Sequence, residues 1–178
     1  GSAPAVLQAG RVQLEGVRVY DSATLTSLGT GAGTASNLNL ATLVSAATSF
    51  AGRQDDILSA AGLAGTANAS VRAGAEIRAQ NDFRIANDLV LAANNQPMNL
   101  TIRAAGNLNI DNSISAGLNN ALATGTIQAG EGASLRLVAG ADLTSANTNA
   151  TKVGADTGHV TLASGKLVRT TTGSIDVH

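Results

Sequence analysis

A short theme recurs along this chain and limits what it can become. It reads apolar, any residue, Ala, one or two small residues, a polar residue, then apolar again. Copies stand at Val71-Arg72-Ala73-Gly74-Ala75-Glu76-Ile77, at Ile102-Arg103-Ala104-Ala105-Gly106-Asn107-Leu108 and at Leu137-Val138-Ala139-Gly140-Ala141-Asp142-Leu143. Shorter versions are Leu7-Gln8-Ala9-Gly10-Arg11-Val12 and Leu162-Ala163-Ser164-Gly165-Lys166-Leu167. The spacing is irregular, so loops of different length separate the copies. Around each copy the apolar residues alternate: Leu100, Ile102 and Ala104 share one parity, with Thr101 and Arg103 on the other. Ala133, Leu135, Leu137, Ala139, Ala141 and Leu143 hold one parity, and Val160/Leu162 and Ile175/Val177 repeat it. Period two means strands with one buried face. The small residues at the centre of each copy suit tight corners.

Two architectures compete for such strands. An antiparallel sandwich favours Asn-Gly or Asp-Gly hairpins, and neither dipeptide occurs in the 178 residues. Parallel layers instead stack like residues, aliphatic inside and Asn or Thr at the turns. Asn81, Asn87, Asn94, Asn107, Asn112 and Asn120 stand at such turns. Composition agrees: apolar residues make up 44% but aromatics only 2%, which suits a thin aliphatic core. The expectation is an all-β fold, a parallel β-helix (β-solenoid) of about five or six coils, roughly 25–30 Å long.

From Leu40 to Ala61 the pattern changes. Leu40, Leu43, Val44, Ala47, Phe50, Ala51, Ile57, Leu58 and Ala61 follow helical spacing. The fold therefore carries a helical insertion near residues 38–62, capped by Ser36 or Asn37 and ended by Gly62, with Gly52 predicting a kink or two shorter helices. Its apolar stripe is expected to dock on the flank or end of the stack. Gly1-Ser2 reads as a cloning scar, which leaves residues 3–178 as a single β-solenoid domain fragment.

Net charge is −1 and the basic residues are scattered. That argues against nucleic acid as a partner, and the helical segment lacks the Lys/Arg cluster expected for membrane insertion. Cysteine is absent, which excludes disulfides and Cys-based zinc sites. The histidines are His159 and His178, and His159 reads as an exposed turn residue rather than a triad member. Asp55-Asp56 is the one adjacent acidic pair, on a solvated helix face. The calcium-type fragments Gly140-Ala141-Asp142 and Gly154-Ala155-Asp156 lack tandem repetition. No catalytic, cofactor-binding or metal residue is assigned, no cofactor is expected, and the chain is read as not an enzyme.

The stretch from Val71 to Val177 resembles an internal domain of unknown function from filamentous-haemagglutinin-like bacterial exoproteins. The resemblance rests on Val71–Ile77, Leu100–Leu108, Leu135–Leu143, Leu167–Thr170 and Gly173–Val177. It implies a right-handed β-helix, two-partner secretion through an outer-membrane partner, and a place in the medium or at the cell surface. It implies no catalytic residues. The expected function is a structural or adhesive module, an adhesin or a shaft presenting a distal domain. Its partners would be a host-cell surface protein or glycan, or neighbouring domains of the same exoprotein, met through loops such as Gly117–Thr126 and Ala146–Thr157. The alternative is a β-helix polysaccharide-degrading enzyme, which needs three or more charged side chains converging in a groove.

Overall fold

The computed structural model describes residues 10–91, 98–117, 132–154 and 158–178. The chain opens with β1 (Val12–Ser22), β2 (Ser27–Gly29) and β3 (Asn37–Asn39), then α1 (Leu40–Ala51) and α2 (Gln54–Ala60). β4 (Ala69–Ala79), β5 (Phe83–Ile85), β6 (Leu89–Val90), β7 (Met98–Ala104), β8 (Leu108–Ile110) and β9 (Ile114–Ser115) follow. β10 (Leu135–Val138), β11 (Val160–Leu162), β12 (Val168–Arg169) and β13 (Ile175–Val177) complete it.

These strands form three sheets: β1-β4-β7-β10-β13, β11-β8-β5-β2-β3, and β12-β9-β6. Pairing between the named strands is parallel throughout. In the first sheet Ile77 pairs with Ile102, Ile102 with Leu137 and Leu137 with Val177. A second inward row runs Ala75, Leu100, Leu135, Ile175. Side chains of equal parity therefore stack from strand to strand, and Leu100, Ile102, Leu135 and Leu137 are buried. At the β13 end the rows meet solvent, where Ile175 and Val177 are 40% and 55% exposed.

Polar side chains tie each strand layer to the next. Asp82 Oδ1 accepts from the Asn107 amide at 2.8 Å, and Asn107 Oδ1 accepts from the His159 amide at 3.0 Å. Asp88 Oδ1 accepts from Ser113 N at 2.8 Å, and Ser113 Oγ from Leu167 N at 3.2 Å. Asn99 Oδ1 accepts from Ser134 N at 2.9 Å, and Ser134 Oγ from Ser174 N at 3.2 Å. Backbone donors at the corners thus find a partner without water. Of the turn asparagines, Asn94 and Asn120 lie outside the described residues.

The expected all-β, right-handed parallel β-helix with a helical insertion is corrected here. Three separate parallel sheets combined with two helices make an α/β arrangement. α1 is part of the common core, because its Leu43 and Ala47 join the cluster that holds Ala73, Ile77 and Met98. Alternation in the sequence identifies strands with one buried face, but it does not reveal that a helix completes the core. The N-cap also differs: Asn39, the last residue of β3, accepts from Ala41 N at 2.6 Å, and takes the place of the expected Ser36 or Asn37 just before it. α1 stops at Gly52, and α2 closes when Gly62 adopts a positive φ of 72° and Leu63 N donates to Leu58 O. The small residues Ala73-Gly74-Ala75 lie inside β4 rather than at a corner.

Ile102→Asp or Leu137→Asp places an uncompensated charge among these stacked rows. Both variants are expected to fail to melt cooperatively by circular dichroism. Ile102→Val, which keeps the shape and loses one methyl group, should fold and be weaker by about 1 kcal/mol.

Candidate functional sites

The outward face of the first sheet carries most of its charge. One row runs Val19, Glu76, Thr101, Arg136, Asp176, and the next runs Asp21, Arg78, Arg103, Val138. Parity puts Arg103 on this face, as the sequence suggests, yet the residue is completely buried. Residues 142–147 fold across it. Arg103 Nη2 donates to the carbonyls of Asp142 at 2.5 Å, Ser145 at 3.3 Å and Asn147 at 3.5 Å. Its Nη1 meets Glu76 Oε1 at 3.1 Å. Glu76 also accepts from Arg78 Nε at 2.8 Å. Farther along, Arg136 Nη1 donates to Thr148 Oγ1 at 2.7 Å, so two arginines hold the same loop. The loop begins in a turn in which Asp142 Oδ1 accepts from the Thr144 amide at 3.0 Å and hydroxyl at 2.6 Å. Those bonds, helped by Lys152 and Arg103, keep the Asp142 carboxyl below its ordinary value.

Glu76 titrates low for a reason that can be separated into parts. Burial pushes its carboxyl up, but hydrogen bonds from Arg78 and Arg103, with the charges behind them, outweigh burial and hold it below its ordinary value.

Beside this cluster a shallow polar groove of about 240 Å³ runs across the strands. Its charged members are Glu15, Arg136 and Asp176, joined by Asn99, Thr101, Ser134 and Ser174. Glu15 reaches it by crossing β4 at Gly74, where a Cβ would stand 2.7 Å from Glu15 Oε1. That oxygen accepts from Asn99 Nδ2 at 2.8 Å. Arg136 Nη2 and Asp176 Oδ2 are 3.4 Å apart.

A larger cleft, about 990 Å³, separates α1 from β1 and β4. The inward positions of β1 are Gly16, Arg18 and Tyr20, in the rows that hold aliphatic residues on later strands. Gly16 leaves space for Phe50 of α1, whose ring a Cβ at position 16 would strike. The Arg18 guanidinium lies 5.2 Å from the centroid of the Tyr20 ring. Burial raises the Tyr20 phenol, and the Arg18 charge partly offsets this.

The residues weighed from the sequence sit elsewhere. His159 is exposed next to β11, and its backbone carries its contacts to Asn107 and Leu108. Asp55 and Asp56 lie in the first turn of α2, where negative charge suits the helix dipole. Among the described residues no three His, Cys, Asp or Glu side chains cluster to hold a metal. Glu131, Asp156, the Leu7–Ala9 copy and the loop beyond Gly117 lie outside the described residues. The groove and the cleft escaped the sequence reading, because their residues come from strands up to about 160 positions apart. The signal available was the parity of Arg18 and Tyr20, which pair with Ala75 and Ile77 on β4, 57 positions later. A scan against family models finds no match, and searches of curated proteins and of solved structures find none.

Glu76→Gln leaves Arg103 buried without its counter-charge, and a loss of about 3 kcal/mol is expected in urea melts at neutral pH. Because the folded carboxyl titrates below its unfolded value, its contribution is present above the unfolded carboxylate range and is lost as pH falls through the folded value. The gap between wild type and Glu76→Gln should therefore narrow on acidification. A gap that widens would contradict the ion-pair assignment.

Proposed function

We propose that this chain is a non-catalytic structural and adhesive module of a secreted or surface-displayed bacterial exoprotein. The observation that carries the reading is the use made of charge on the first sheet. Arg103, Glu76, Arg78 and Arg136 bind one another or clamp the loop at 142–148, so their chemistry is committed to shape. Parallel layers that share backbone and side-chain hydrogen bonds give a stiff platform without disulfide or metal. The resemblance of Val71–Val177 to filamentous-haemagglutinin-like proteins supports the same class. In that setting the clamped loop faces a host-cell surface protein or glycan, or a neighbouring domain of the exoprotein, and the parent chain leaves through an outer-membrane secretion partner.

A specific observation favours a second reading, polysaccharide cleavage: Glu15, Arg136 and Asp176 line one groove. The two readings separate in one assay. The purified chain is incubated with a panel of acidic and neutral polysaccharides and released ends are measured, alongside a host-glycan array. A structural and adhesive module gives no turnover. Turnover abolished by Glu15→Gln or Asp176→Asn would overturn the proposal. Deleting the module from its parent is expected to lower host-cell binding while surface display stays intact. Unchanged binding would count against adhesion.

A further inference from the structure

We propose that the cleft between α1 and β1 binds a single amphipathic anion, a long-chain carboxylate, with its head on Arg18 and Arg53 and its tail against Phe50, Leu43 and Met98. This site is separate from the loop-bearing face and does not depend on the function assigned there.

The first layer of the structure is built unlike those above it. In the inward row that continues as Ala75, Leu100, Leu135 and Ile175, β1 supplies Arg18. In the row of Ile77, Ile102, Leu137 and Val177 it supplies Tyr20. A guanidinium and a phenol thus occupy positions that elsewhere make core. α1 stands across from them, and the space left between is about 990 Å³, the size of a small-molecule site.

The lining has a sign. Arg18 and Arg53 both border the cleft, and among the described residues no Asp or Glu does. Neither arginine belongs to an ion pair among the described residues. Both are exposed, so a ligand reaches them without unfolding anything. The Arg18 guanidinium lies 5.2 Å from the centroid of the Tyr20 ring, within reach of a cation–π contact, and its fork of N–H groups matches a planar carboxylate. Thr42, Ser45 and Ser49 add hydroxyl groups along the helix wall. Deeper in, Leu43, Phe50, Ala75 and Met98 form an apolar floor, and an unbranched methionine adapts to a flexible chain. Charge at the rim and aliphatic surface below match an anion with one apolar tail. A compact anion such as acetate leaves the floor unused, and a neutral or cationic amphiphile leaves the arginines unmatched.

Isothermal titration of the whole chain with dodecanoate, below its micelle concentration, tests this. The expected result is saturable 1:1 binding that raises Tm. Arg18→Gln/Arg53→Gln alters two exposed side chains, so the double variant should fold as wild type, shown by an unchanged circular dichroism spectrum, and bind at least tenfold more weakly. Acetate, dodecyl maltoside and dodecyltrimethylammonium should bind at least tenfold more weakly than dodecanoate. Phosphatidylglycerol vesicles separate a free amphiphile from a lipid surface, and the protein should not sediment with them. Absence of saturable binding would overturn the inference. So would full affinity in the double variant, equal affinity for any control amphiphile or acetate, or binding to vesicles alone.

Discussion

In-register parallel pairing is the constraint on which the remaining structure depends. When Ile77, Ile102, Leu137 and Val177 occupy one row, each strand's buried face lies against the same face of its neighbour. A slip of one residue would turn that face to solvent. The same register lines up the corners, and this lets Asp82 reach Asn107 and Asn107 reach His159 from layer to layer. The polar columns therefore follow from the apolar rows. They also discourage slippage, since a shifted strand would lose its corner hydrogen bonds together with its core contacts.

Two consequences bear on function. From β4 onward the first sheet faces inward with aliphatic residues and outward with charge, and the loop that Arg103 and Arg136 clamp covers part of that charge. Meanwhile the two ends differ. Toward β1 the helix α1 covers part of the inner face and leaves a cleft with two arginines. Toward β13 the inner row is open, with Ile175 and Val177 in contact with solvent. Burying Arg103 carries a desolvation cost, which Glu76 and the carbonyls of Asp142, Ser145 and Asn147 offset.

Much of the strand pattern was legible in the sequence. Leu100, Ile102, Leu135 and Leu137 alternate as buried positions must, and the stripe containing Leu43 and Ala47 marks a helix in advance of any structure. What was not legible depends on distant segments. Nothing near Arg103 signals that carbonyls some 40 positions later will enclose it. Gly74 looks like a corner residue, yet it sits within β4 and lets Glu15 pass to Asn99. The cap at Asn39 was missed because β3 is three residues long and its alternation is too brief to register. The all-β expectation failed for a related reason: periodicity separates strand from helix locally, but it does not show that both will share one core. Of the candidate sites, each residue of the groove and cleft is ordinary on its own, and the sheet register brings them together.

Register is therefore the property to measure. Asn109 on β8 and Thr161 on β11 are paired and their side chains touch at 2.8 Å, although 52 positions separate them. The chain contains no cysteine, so an Asn109→Cys/Thr161→Cys pair has no competitor. Under mild oxidation, parallel in-register stacking predicts a disulfide in the folded protein, within the Cα separation that such bonds require. An Asn109→Cys/Leu162→Cys control, with the second thiol on the opposite face, should stay reduced. Ready closure of the control, with the first pair remaining as free thiols, would contradict the register and with it the stacked rows on which the candidate sites stand.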